Sequence, residues 1–226
     1  MGIYKYETHM HCSESSGCAK STGAEMAEFY KRLGFAGVVV TDHLIPDPRR
    51  AETPEAWKAY CDRLTAGYYA CLARGKEIGL DVFYGWEYSS GLGHYLIYGL
   101  PPEWHYDKPE SMRWDVRTYL DRVRADGAYV VHAHPFRENW EPICLFPSRT
   151  DGVEVLSAAR TDLDNERAGK YAAEYGKIRV AGSDCHSVNM KRICGVMSNE
   201  RLGGIEGFIA LLKSQPELIE LKLDDE

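Results

Sequence analysis

The sequence predicts an α/β fold that closes, or nearly closes, into a barrel. Apolar strand-like runs alternate with amphipathic helical stretches along most of the 226 residues, a rhythm that favours parallel strands joined by crossover helices. His, Asp and Glu gather where those runs end, and in a barrel the strand ends converge on one face. With 44% hydrophobic residues the chain can bury one full core, so residues 1–226 read as a single domain.

The first strand runs from Ile3 to Thr8 and into His9 and His11. A helix follows from Gly23 to Leu33, with apolar positions at Met26, Phe29, Tyr30 and Leu33 and a stop at Gly34. Phe35 to Thr41 contains Val38-Val39-Val40, too uniformly apolar for a half-exposed strand and suited to one covered on both faces. It ends at Asp42 and His43. Pro46, Pro48 and Pro54 mark a loop, after which Glu55 to about Ile78 is helical and closes at Gly79. Leu80 to Glu87 and His94 to Tyr98 are strands joined by a Ser-Ser-Gly-Leu-Gly turn. A helix over Asp115 to Ala125 leads through Gly127 to Tyr129-Val130-Val131 and His132. Gly152 to Leu156 is a strand, Asp164 to Tyr175 a helix, and Ile178 to Ala181 a strand delivering Gly182-Ser183-Asp184-Cys185-His186. A strand at Ile193 to Met197, a helix at Ile205 to Lys213 and a short strand within Glu217 to Leu223 complete the order. No repeat or low-complexity tract interrupts it.

Composition removes several classes of function. The net charge of −7 disfavours a broad nucleic-acid or anionic-membrane surface, which needs clustered Lys and Arg. No apolar stretch approaches the ~18 residues that span a bilayer. Seven cysteines without a Cys-x-x-Cys pair, behind a start lacking an apolar leader, fit reduced thiols in a cytoplasm better than a disulfide framework. The tryptophans Trp57, Trp86, Trp104, Trp114 and Trp140 read as core and rim, and His105, outside every motif, as a surface residue.

The other seven of the eight histidines fall in clusters with acids: His9-Met10-His11, Asp42-His43, Glu87 with His94, His132-Ala133-His134 and Asp184-Cys185-His186. Imidazole and carboxylate together suit zinc, iron and manganese. Alternate residues of a strand face the same way, so His-x-His aims two imidazoles at one point, and a two-oxygen carboxylate can bridge two cations. Asp42 is a turn or cap residue, an orienting partner for the imidazole beside it, or a direct ligand.

In order and strand context, His-x-His, Thr-Asp-His, Gly-x-Glu followed by Gly-His-Tyr-Leu, Ala-His-Pro and Gly-Ser-Asp-x-His resemble the PHP (polymerase and histidinol phosphatase) superfamily. The resemblance spans His9 to His186. It implies a distorted seven-stranded β/α barrel with two or three divalent ions at the strand C-termini, and phosphoester hydrolysis. It assigns His9, His11 and Asp184 to a first ion, with Glu87 as bridge, His43 and His186 to a second, and His94 and His134 to a third. His132 then takes an orienting or substrate-facing place. Where many relatives supply an Asp or His shortly after His-x-His, this chain reads Cys12-Ser13-Glu14-Ser15-Ser16-Gly17-Cys18. Glu14 is the hard-ligand substitute and Cys18 the thiolate alternative, and the number of ions depends on them.

The implied chemistry is in-line attack on phosphorus by a hydroxide held between ions, with Asp184 and His186 the nearest protein groups and no side-chain nucleophile. Three divalent ions bring roughly six positive charges against about three from Glu87, Asp184 and Glu14, so the centre should attract an anion. Arg137 and then Arg160 are the candidates to hold phosphate. The expected substrate is a small phosphorylated metabolite of histidinol phosphate or nucleotide type. The alternatives are a phosphodiesterase or exonuclease, a non-catalytic metal-stabilised module, and an amidohydrolase, which fits Thr-Asp-His and Gly-Ser-Asp-x-His less well.

Overall fold

The computed structural model describes residues 2–137 and 142–224. Strands and helices follow in the order β1 (Tyr4–Met10), α1 (Gly23–Arg32), β2 (Phe35–Val40), the two-residue β3 (His43–Leu44), α2 (Pro54–Ile78), β4 (Asp81–Ser89) and β5 (His94–Tyr98). They continue with the single-turn α3 (Glu103–Tyr106), α4 (Val116–Ala125), β6 (Tyr129–Ala133), β7 (Gly152–Ser157), α5 (Asp162–Glu174), β8 (Ile178–Gly182), β9 (Arg192–Ser198), α6 (Ile205–Lys213) and β10 (Leu218–Lys222). Local chemistry sets the helix ends. Thr22 with Glu25 and Thr161 with Asp164 form reciprocal capping boxes at α1 and α5, and Asp115 caps α4. Thr53 caps α2 ahead of Pro54, and Gly79 ends that helix at φ 71°, a backbone region that disfavours any Cβ.

One sheet runs β10-β9-β1-β2-β4-β5-β6-β7-β8, with β3 beside β4. It curls until β8 returns to β1. Met10 bridges Cys185, the His11 amide donates to the Cys185 carbonyl at 2.8 Å, and the Thr8 hydroxyl donates to the Ala181 carbonyl at 2.9 Å. This seam has no long ladder, so side chains hold it. Glu7 of β1 is fully buried and accepts from the Ser183 amide at 2.9 Å and the Ser183 hydroxyl just beyond β8, as well as from the Tyr30 hydroxyl at 2.6 Å. The seven strands β1, β2 and β4 to β8 make a nearly closed α/β barrel, and β9 and β10 extend antiparallel from β1.

The all-parallel expectation is corrected in the middle of the sheet. β5 runs antiparallel to both β4 and β6: the turn after Ser89, with Gly91 and Gly93 at φ 71° and 112°, is a tight reversal that parallel neighbours cannot use, and the longer return through α3 and α4 restores the direction in β6. Side chains from six strands, Tyr6, Val39, Leu96, Val131, Val180 and Val196, meet Phe208 and Leu212 of α6 in one core cluster. β2 carries Val39 into that interior while Val38 and Val40 face Met26 and Tyr30 of α1, so it is covered on both sides as its composition predicts. Outside β4 and β5, an aromatic layer joins Trp57, Tyr60 and Leu64 of α2 to Trp86, Trp104 and Tyr119.

His105 is a correction. It is fully buried in that layer, 4.4 Å from the Trp86 ring centroid, and burial drives its pKa down to about 3. Trp114 packs at the edge of the same layer, and Trp140 lies outside the described residues. No disulfide links the seven cysteines, and among the described residues no helix is long and apolar enough to cross a membrane.

Candidate metal centre

The ends of β1, β4, β5, β6 and β8, with the short β3, bring eight of the expected ligands together. His9 and His11 alternate along β1 and put their Nε2 atoms 3.2 Å apart. The Asp184 Oδ1 lies 3.5 Å from the first and 3.3 Å from the second, and Glu87 approaches the same two nitrogens at 3.5 and 3.6 Å. Donors at 2.0–2.1 Å from a tetrahedral ion stand about 3.3 Å from one another, so these edges are those of a ligand shell. Of these edges only His9–His11 has hydrogen-bond geometry; the four to the carboxylates are too long or too poorly aligned. Glu87 carries the same signature. It is fully buried, and its Oε2 has His43 Nδ1 only 2.6 Å away yet no hydrogen bond of acceptable geometry. The residues present fit divalent ions.

Glu87 also reaches the third expected pair. Its Oε1 lies 2.8 Å from His94 Nδ1 and 3.2 Å from His134 Nε2. A further donor set, His11, His43 and His186, stacks ring on ring at 4.2 and 4.3 Å. Buried together, these groups polarise one another. Burial opposes ionisation of Glu87, but His94, His43 and His9 hold it well below the carboxylate range. Burial likewise opposes charge on His43, and Glu87 with Cys18 lifts its pKa to about 10. Asp184 is driven well below its ordinary value by His9 and His11 despite burial.

Two candidate ligands have unusual backbones. His134 and Asp184 are non-glycine residues at φ 26° and 52°, a strained region that clusters at functional sites. The strain also explains His132. In β6, Val130 and His132 share one face, and His132 lies fully buried, stacked 4.7 Å from Tyr95. His134, past the strand end, is turned out of that alternation by its positive φ and reaches Glu87. His132 joins none of the donor groups, and burial pushes its pKa down to about 3.

Glu14 is not brought to the centre. Its carboxylate accepts the Gly23 amide at 3.0 and 3.1 Å, at the first turn of α1, where the helix dipole favours an anion. Cys18 stands there instead. The thiol lies against His186 and His43, and hydrogen bonds to both outweigh burial and bring its pKa down to about 6. Asp42 does not touch the His43 ring. Its Oδ1 accepts from the Ser16 hydroxyl at 2.6 Å and the Cys12 amide at 2.7 Å, and Ser16 accepts the His43 amide at 3.1 Å. Asp42 therefore pins the loop between the ligands, and burial raises its pKa to about 7. Both arginines line the cavity, and Arg160 Nη2 also donates to Asp184 Oδ2 at 2.7 Å.

Sequence reasoning passes over Glu154. This β7 carboxylate is fully buried; Oε1 lies 3.0 Å from His9 Nδ1 and Oε2 accepts the His134 amide at 3.0 Å. It fixes the tautomer that leaves His9 Nε2 free to ligate. A lone Glu inside the apolar run Gly152–Ser157 is the available signal.

The centre opens into a cavity of about 800 Å³. Fold and site together define a nearly closed α/β barrel with a candidate metal centre at its strand ends. A family model for the PHP-associated region matches residues 162–190, which hold Asp184 and His186. Similar folds include a two-domain protein from Bacteroides vulgatus containing a predicted PHP-like metal-dependent phosphoesterase (TM-score 0.72, 15% identity, 96% of this chain and 65% of that one). They also include a protein of Bifidobacterium adolescentis assigned as a metal-dependent phosphoesterase (0.58, 16%, 92% and 95%). A third is an amidohydrolase of Chromobacterium violaceum with bound sulfate and no metal (0.58, 16%, 94% and 97%). The chain thus spans a little under two thirds of the Bacteroides protein. No curated protein matches it by sequence. The chain shares the fold of these proteins, and the family model covers the segment that carries Asp184 and His186.

Proposed function

We propose that the protein is a metal-dependent phosphomonoesterase acting on a small phosphorylated metabolite. One observation supports this above the rest: the donor atoms of His9, His11, Glu87 and Asp184, 3.2 to 3.6 Å apart, adjoin a cavity lined by Arg137 and Arg160. Divalent ions of the zinc, manganese or iron class, when bound by these donors, lower the pKa of water from 15.7 towards about 7 and polarise phosphoryl oxygens.

The chain's own residues do the rest. Glu87 and Asp184 stay ionised and hold the imidazoles in one geometry. Glu154 keeps His9 Nδ1 protonated, so its Nε2 lone pair points inward. Arg160 is anchored on Asp184 through Nη2, and its Nε is buried without a partner, a donor that a phosphoryl oxygen would satisfy. The cationic wall is local, which suits a compact ester better than a nucleic-acid strand. Sulfate, an oxyanion of phosphate shape, is bound in the Chromobacterium neighbour.

The test is phosphate release by metal-loaded protein from a panel of phosphomonoesters, with bis(p-nitrophenyl) phosphate and simple amides alongside. Monoester turnover lost in Asp184→Asn and His9→Ala is the expected result. Turnover of the diester or amide alone would replace the reading, and tight metal binding without any turnover would make the centre structural.

A further inference from the structure

We infer that the cavity contains a second anion subsite, built by Arg50, Arg63 and Tyr60, so that the substrate is a small phosphoester carrying a second anionic group. This rests on the phosphoesterase reading and narrows its substrate class. The chain carries −7 overall, yet the cavity lining has four arginines and one carboxylate. That carboxylate, Asp184, is already engaged by Arg160. Arg50 and Arg63 lie elsewhere, on the 3-10 turn Pro48–Ala51 and on α2, away from the strand ends that carry the metal donors.

Both guanidiniums sit by one aromatic ring, 4.6 and 5.4 Å from the Tyr60 centroid. An aromatic face orients cations and leaves their charge uncancelled. Carboxylates do not cancel it either. Arg63 forms no ion pair among the described residues. Arg50 has only Asp47 at 3.9 Å, and Asp47 is held by two 2.9 Å bonds from Arg49. Two cations on one ring repel each other until an anion stands between them.

Tyr60 supplies an independent sign. The residue is only 4% exposed and lines the cavity, and its hydroxyl, near Arg50 and the Ile45 backbone, is buried without a well-formed hydrogen bond. Buried hydroxyls nearly always have partners, and an anionic oxygen placed between the arginines would accept this one. Ile45 and Leu64 add apolar lining for the body of such a substrate. The second anion is a phosphate or a carboxylate, since a paired guanidinium site accepts both.

The test compares phenyl phosphate, hydroquinone bisphosphate and 4-carboxyphenyl phosphate by calorimetric binding to zinc-loaded protein and by phosphate release. The second anionic group is expected to tighten binding about tenfold or more, and whichever of the two acidic ligands gains more identifies the anion. In Arg50→Gln/Arg63→Gln the ratio of dianion to phenyl phosphate affinity falls to about one, with near-ultraviolet circular dichroism confirming the fold. Arg63→Glu, at an exposed position, gives the same result should the double variant misfold. Equal affinity for all three ligands, or a preference that survives both arginine variants, overturns the subsite. Phenyl phosphate that neither binds nor turns over overturns the phosphoesterase reading instead.

Discussion

Glu154→Gln is the sharpest test of how the centre is supported. The carboxylate serves two donors at once, His9 Nδ1 at 3.0 Å and the His134 amide at 3.0 Å. Glutamine has one acceptor oxygen. Turned towards His134, it sets an NH2 group against Nδ1, which must then accept, moving the proton to Nε2 and removing that nitrogen as a ligand. Turned towards His9, it leaves the buried His134 amide facing another donor, at a cost of about 1–3 kcal/mol. Either way the loss lies in the range of orienting partners of metal ligands, about 10- to 100-fold in metal affinity, or roughly 1.4–2.7 kcal/mol. Competition for zinc against a chromophoric chelator measures the first term, and the melting temperature of metal-free protein measures the second. A variant that binds zinc within twofold of wild type and melts at the same temperature would refute the argument.

Cys18→Ser should remove any sulfur-to-metal charge-transfer band from cobalt-substituted protein and weaken zinc more than manganese, since only the softer ion gains from a thiolate. An unchanged spectrum would return Cys18 to the protein surface. Arg160→Ala should raise KM for a phosphomonoester by about tenfold or more, the worth of one charge-assisted bond; steady-state kinetics decide, and an unaltered KM would detach Arg160 from the substrate. His105→Phe should flatten the acid side of the stability profile. With a folded pKa of about 3 against an ordinary 6.5, the unfolded chain takes up the proton first, so stability falls as pH drops below 6.5. The penalty is about 2 kcal/mol at pH 5. Urea unfolding at pH 7 and pH 5 should show the variant losing less than wild type, and equal losses would contradict a neutral buried imidazole.

The ligand order was readable because a barrel places strand ends side by side, so short motifs scattered from His9 to His186 meet without any long-range information. β-branched runs and capping residues marked most elements for the same local reason. Glu154 and Glu7 escaped because an acid in an apolar strand has the pattern of an outward-facing residue; its burial is decided by partners more than a hundred residues away. His105 escaped likewise, its cage of Trp86, Trp104 and Tyr84 being assembled only by the packing of α3 on β4. The choice between Glu14 and Cys18 turned on the path of one loop, and the start of α1 captured the carboxylate. His132 and His134, two apart, were separated by a single backbone angle.

The seam between β1 and β8 has a consequence for assembly. Bringing residue 9 to residue 184 is a closure across most of the chain, and loops of that length are among the last contacts a folding protein makes. His9 and His11 stand on one side of the seam, Asp184 and His186 on the other, so an ion taken up there acts as a hoop around staves already in place. Such an ion would add to the Glu7–Ser183 and His11–Cys185 bonds that already tie the two edges together. Stripping the ions should loosen amide protection first along β1 and β8 while the antiparallel β4, β5 and β6 keep theirs, leaving the Glu7–Ser183 bonds as the seam's remaining hold.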